Sequence, residues 1–344
     1  MKKAILILFL AVAPFCIAQE NPIHSFSEKK DILWASPKGF DLTMDIYTPT
    51  TNKDSYPVLI IYHGGGWLIN NKSIMDEMSK YLASHANYVI CNVNYRLLTA
   101  NNNTTNMNEI IEDAMGAVLW VKENIEAYKG NPNAIAITGD SAGGHLAAMV
   151  INGSDYLNAS GFKGNSLGFN PTYIPKGENI ETIKKNNALQ VQAAVLSYPA
   201  VDIYAAAYGD GKNGFESPSN FFWEMGGAKA RGIFGENTNV KENPDYYKKV
   251  SPIYTVPNAN DRKLPPQFCH VGSKDNTTTP VSIKAYVDKL KEEGQPVDYW
   301  VYEGRNHAYL DSGTNEFLGN SFEKDAIEPL KKIISFLDNV FYKE

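Results

Sequence analysis

The sequence predicts an α/β protein: a mostly parallel, doubly wound sheet with helices on both faces. Three observations predict it. Short runs of β-forming residues alternate with segments of helical period. Several of these runs are apolar at nearly every position, the pattern of strands covered on both faces. Helical segments also carry the expected punctuation: "PVSIKAYVDKLKEEG" opens with Pro280 and closes with Gly294.

The chain opens with "MKKAILILFLAVAPFCIAQE", two lysines, a short apolar run and small residues before Gln19. This is the pattern of a secretory signal peptide, with cleavage expected after Ala18, and the run is too short for a resident membrane span. A lipid anchor on Cys16 is the competing reading, disfavoured by Phe15 and Pro14 where small residues are wanted. Residues 1–18 are therefore expected to be removed and 19–344 to form a single domain, periplasmic or secreted, with no integral membrane association. Removing two lysines takes the formal charge from −6 to −8. An acidic protein without a basic cluster repels phosphate backbones, which argues against nucleic acid as a partner.

Seven strand-like runs follow: "DLTMDIYTP" (41–49), "PVLIIYHGG" (57–65), "YVICNVNY" (88–95), "AIAITG" (134–139), "VQAAVLSY" (191–198), "PQFCHVG" (266–272) and "VDYWVYEG" (297–304). Between the third and fourth, a helical stripe joins Ile110, Ala114, Ala117, Val118, Val121 and Ile125. Two stretches break the alternation. Residues 152–190 and 203–250 are long, polar, and rich in Gly, Asn and aromatics. Structureless loops of that length are uncommon unless functional, so both are read as lid-like insertions over one edge of the sheet, with surface decoration as the plainer alternative.

The fourth run ends in "GDSAG". Turning from strand to helix at Ser141 forces a strained backbone, and Gly139 and Gly143 remove the side chains that would collide. The amide of Ala142 is left at a helix N-terminus, where negative charge is favoured. A hydroxyl there needs a base, and the base an orienting acid. Of six histidines, His307 in "YEGRNHAYL" stands beyond the last long strand, at the same carboxyl edge. His24 falls in a frayed N-terminal region, His85 on a polar helix, His270 inside an apolar strand; His145 reads as a packing residue and His63 as a loop-shaping one. Asp275 in "HVGSKDNTTTP" is the favoured acid, because the threonine turn and Pro280 helix after it leave it exposed at a loop tip; Asp202 is the alternative. Bare backbone in "HGGGW" offers the amides of Gly65 and Gly66, with that of Ala142, as a hole for an oxyanion, each such donor being worth about 3–4 kcal/mol. Trp67, Phe222 and Trp223 offer aromatic surface for a substrate. No HExxH is present and the cysteines are few and scattered, so neither metal nor other cofactor is called for.

At "HGGGW", "NYRL" (94–97) and "GDSAGGHLA" the chain resembles the α/β-hydrolase esterases, in the branch of hormone-sensitive-lipase-like enzymes and bacterial xylan and feruloyl esterases. The resemblance runs from about residue 30 to the end. It implies a triad of Ser141, Asp275 and His307, oxyanion donors Gly65, Gly66 and Ala142, and an acyl-enzyme on the serine. The expected substrate is an acetyl or feruloyl ester on polysaccharide. A broad short-chain carboxylesterase and a non-catalytic binding protein on the same scaffold are the alternatives. The implied strand order also puts Cys91 and Cys269 about four strand spacings apart, ~19 Å. A disulfide needs Cα atoms within about 7 Å, so two buried free thiols are expected.

Overall fold

The computed structural model describes residues 21–164, 166–209 and 214–343; the predicted signal peptide lies outside the described residues. All seven expected runs are strands of one sheet: β2 (Leu42–Pro49), β3 (Tyr56–Tyr62), β4 (Val89–Val93), β5 (Gly130–Asp140), β6 (Ala193–Ser197), β7 (Gln267–Gly272) and β8 (Val297–Tyr302). An eighth strand, β1 (Phe26–Ala35), precedes them, and the spatial order is β1-β2-β4-β3-β5-β6-β7-β8. Pairing is antiparallel from β1 to β2 to β4 and parallel from there on. The central strand β3, "YPVLIIY", is buried at all seven positions, as a strand covered on both faces must be.

β1 corrects the expectation of a frayed start around His24. "SEKKD" reads as solvated chain, yet charge is how an edge strand avoids pairing with other molecules. A register break follows Lys29, and Asp31 there takes a left-handed φ of 53°. Lys72 ties the break down, its ammonium 2.8 Å from the Asp31 carboxylate and 2.8 Å from the buried Asp45. The amides of Ile23 and His24 are held by the Ser84 carbonyl.

The helical stripe lies on Met107–Asn124, save Ile125, which opens the 3-10 turn Ile125–Tyr128 that follows; the helix's first turn is closed by the Asn106 amide donating to Glu109. In "NYRL", Arg96 grips Asp113 of that helix through Nε and Nη2 at 2.8 and 2.7 Å, both side chains buried. Leaving either partner alone in the interior would cost about 3–5 kcal/mol, so the motif welds the turn after β4 to the sheet's covering helix. Pro280–Glu292 is a helix capped by Thr279, and Gly294 beyond it has φ 73°. Cys91 on β4 and Cys269 on β7 are free and buried, four positions apart in the sheet; burial pushes both thiols far up, so neither is a nucleophile.

The two insertions share one aromatic cluster. Phe162 of the first stacks on Phe234 of the second, with centroids 5.3 Å apart and planes 3° apart. Phe169, Tyr246 and Tyr247 complete the cluster. These five aromatics therefore form a small core shared by the two insertions.

Candidate active site

Parallel strands end together, so the turns after β3, β5, β7 and β8 meet along one edge. At the end of β5, Ser141 has φ 51° and ψ −114°, a conformation side chains avoid. Glycine makes it attainable. A Cβ on Gly139 would stand 2.3 Å from the Gly143 carbonyl, and one on Gly143 would stand 1.9 Å from the carbonyl oxygen of Tyr62. The strained residue is held by backbone on both sides: its amide donates to Ser197 at 2.9 Å, and its carbonyl accepts from Ala200 at 3.1 Å.

His307 reaches this serine from the loop after β8. Its Nε2 lies 2.9 Å from Ser141 Oγ and its Nδ1 2.7 Å from Asp275 Oδ2. A carboxylate facing Nδ1 keeps the proton there and leaves Nε2 free to accept from the hydroxyl. Ser141 and His307, 166 residues apart in sequence, thus share one hydrogen-bonded row with Asp275. Asp275 corrects one expectation: it is not exposed at a loop tip but buried, 4% accessible. Its Oδ1 accepts from the amides of Thr277 and Thr278 at 2.8 and 2.9 Å, and Thr278 Oγ1 donates toward Oδ2 at 3.2 Å. The threonine turn therefore wraps the acid instead of presenting it. Asp202 stands elsewhere, capping the helix Ile203–Tyr208 by accepting from the Ala205 amide at 2.8 Å.

The glycine strip after β3 lies alongside. Gly65 and Gly66 have φ 117° and 57°, and a Cβ on Gly65 would meet the Ile69 carbonyl oxygen at 2.3 Å. Amides of Leu68 and Ile69 close the turn onto the Gly65 carbonyl, and the Gly65 and Gly66 amides take no part in those closing bonds. His63 shapes the strip by bonding the Gly64 carbonyl through Nδ1 at 2.8 Å, while Tyr95 Oη donates to the His63 carbonyl. The ring of Phe222 covers Gly66 so closely that a Cβ there would approach it to 2.8 Å. Phe221, half exposed, packs on Phe222 at a tilt of 31°, with ring centroids 4.1 Å apart.

The two tryptophans are corrections. Trp67 is 4% accessible and donates from Nε1 to His145 Nδ1 at 3.2 Å; Trp223 is 1% accessible and donates to the Phe215 carbonyl at 2.9 Å. An indole with both its face and its N–H satisfied inside the fold is packing, not a landing surface. His145 completes this buried post, bonding the Val250 carbonyl through Nε2 at 2.7 Å; burial pushes its imidazole down to about 4.

Several neighbours carried no readable signal. Asn320, from the small hairpin Thr314–Asn315 and Asn320–Ser321, donates to the His307 carbonyl. Tyr198 sets its ring edge-to-face on His307, centroids 4.8 Å apart. Asp140, beside Ser141, is buried and accepts from the Gly64 amide; burial pushes its carboxyl up to about 6, against the pull of His307. Burial of its carboxyl, and then the charge of Asp140, hold Asp311 well above the usual carboxylate range. Because the folded value of Asp140 exceeds the unfolded one, the stability it contributes is present below about pH 4 and lost as pH rises through about 6. Asp140→Asn removes that dependence. The stability of the variant relative to the wild type, read from melting temperatures, is expected to climb between pH 4 and 7 and then level. A gap that stays constant across that range contradicts the assignment.

Sheet, elbow and edge together define an α/β hydrolase. The BD-FAE family model matches residues 44–290, and the chain belongs to the BD-FAE family. Among curated proteins it is 34% identical over 110 residues to carboxylesterase NlhH of Mycobacterium tuberculosis, covering 32% of this chain and 33% of that one. It is 28% identical over 254 residues to esterase LipQ of the same species, covering 74% and 50%. The chain thus spans about a third to a half of the length of these relatives. Among solved structures, Thermogutta terrifontis esterase 2 phosphonylated by sarin superposes with a TM-score of 0.65 at 20% identity, over 94% of this chain and 97% of that one, a likeness of fold.

Proposed function

We propose that the chain is a serine carboxylic-ester hydrolase that removes acetyl or feruloyl groups from polysaccharide. The observation that carries this is the row from Ser141 Oγ through His307 to Asp275, with contacts of 2.9 and 2.7 Å. In the proposed cycle His307 Nε2 takes the Ser141 proton as Oγ attacks the ester carbonyl. The amides of Gly65, Gly66 and Ala142 take up the charge on the carbonyl oxygen. Collapse breaks the bond to the alcohol, which leaves with the proton from His307, and the acyl group stays on Ser141. Water, deprotonated by the same imidazole, then frees the acid and restores the hydroxyl.

Membership of the BD-FAE family supports feruloyl esters, and Phe222 over Gly66, with Phe221 packed against it at a tilt, supports an apolar or phenolic acyl group beside the glycine strip. The names of NlhH and LipQ favour a second reading, a broad short-chain carboxylesterase. Export through the segment 1–18 belongs to the first reading, since polysaccharide lies outside the cytoplasm. Rates on acetylated xylan, methyl ferulate and aryl acetates separate the two. The first reading expects acetate or ferulate release from the natural esters at rates comparable to the aryl ester; hydrolysis of aryl esters alone would replace it with the second.

A further inference from the structure

Beside the row at Ser141 lies another, wholly inside the protein. His270 on β7 is fully buried, with Nε2 2.9 Å from Ser197 Oγ and Nδ1 2.6 Å from the Tyr309 hydroxyl. Both ends of this row touch the site. Ser197, at the end of β6, accepts the Ser141 amide on its carbonyl at 2.9 Å. Tyr309 stands two residues after His307, and Ala308 between them has a left-handed φ of 62°. The Tyr198 amide donates to the His270 carbonyl, and the Tyr198 ring lies edge-on to both Tyr309 and His307. A path of hydrogen bonds therefore runs from the nucleophile's backbone through Ser197, His270 and Tyr309 to the loop that carries the base.

An apolar side chain would fill the His270 position in a parallel strand without having to satisfy two ring nitrogens. What the imidazole adds is direction. Burial pushes it down to about 3, so it is neutral, one nitrogen donating and the other accepting. The Tyr309 phenol, kept protonated by its own burial, is the stronger proton donor of the pair, which assigns Nδ1 as acceptor and Nε2–H as donor to Ser197. Strained Ala308 is where the loop would relax without that anchor.

We propose that His270 is a positioning residue which, acting through Tyr309, sets the reach of the His307 imidazole to the Ser141 hydroxyl. This rests on the ester-hydrolase reading and extends it to two residues that touch neither substrate nor reacting atoms.

The test uses the full chain, a chromogenic acetate ester, and a fluorophosphonate that labels an activated serine. Tyr309→Phe is expected to lower kcat about 10-fold with KM within about twofold, and to slow labelling in parallel. His270→Gln, whose amide reaches the Ser197 side but not Tyr309, is expected to match it, and the double variant to be no worse than either. His270→Asn, with its amide near the Nδ1 position, is expected to recover to within about threefold of the wild type. Wild-type kcat in Tyr309→Phe overturns the proposal. So does a loss shared equally by the Asn and Gln variants and tracking their melting temperatures, since that is packing alone. A wild type that neither hydrolyses the ester nor takes the label removes the parent reading and this proposal with it; a labelled wild type with an unaffected Tyr309→Phe removes this proposal only.

Discussion

Ser141→Ala is expected to abolish ester hydrolysis, lowering kcat by about 10⁴- to 10⁶-fold while substrate still binds. The loss is large because the proposed mechanism routes the acyl group through the Ser141 hydroxyl. Gly139, Gly143 and Gly144 have no functional side chain, and Asp140 faces inward to the Gly64 amide. Alanine keeps the elbow, since the bonds from Ser141 to Ser197 and Ala200 are backbone bonds and survive the change. A near-wild-type melting temperature should therefore accompany the lost activity. Hydrolysis of a chromogenic acetate ester by the variant within tenfold of the wild type would dispose of the acyl-enzyme.

Asp275→Asn is expected to cost about 10³–10⁴ in kcat, and the hydrogen bonds say why. Oδ1 accepts two threonine amides, so the asparagine must keep its oxygen there and turn its NH₂ toward His307. A donor facing Nδ1 drives the imidazole proton to Nε2. The ring would then donate to Ser141 across the 2.9 Å contact where it needs to accept, and the base is lost without any movement of atoms. Asp202→Asn, at a helix cap, is expected to leave kcat unchanged and to cost at most about 1 kcal/mol of stability. Comparable losses in both variants would reopen the choice of acid.

The candidate site was legible where chemistry coincides with the end of a strand. Ser141, Asp275 and His307 each follow a run of β-formers, so a parallel sheet had to bring their turns to one edge. β1 was not legible, because "SEKKD" has the composition of solvated chain and becomes a strand only by pairing with β2. The burial of Asp275 was missed because a turn of threonines looks polar, whereas its amides fold around the carboxylate and seal it. Trp67 and Trp223 misled for the opposite reason. An aromatic near a candidate site is equally good at supporting the loops from beneath, and only the partners of its N–H distinguish the two. Tyr309 and His270 meet across 39 residues, a pairing that depends on loop paths no local pattern encodes.

The face-to-face contact of Phe162 and Phe234 bears on any attempt to move substrate preference between relatives. Each ring is half of the other's shelter, so a graft of one insertion into a different hydrolase would arrive with a bare aromatic flank. Donor segments have to be transplanted as a pair, and by the same token natural drift in one is constrained by the residues of the other.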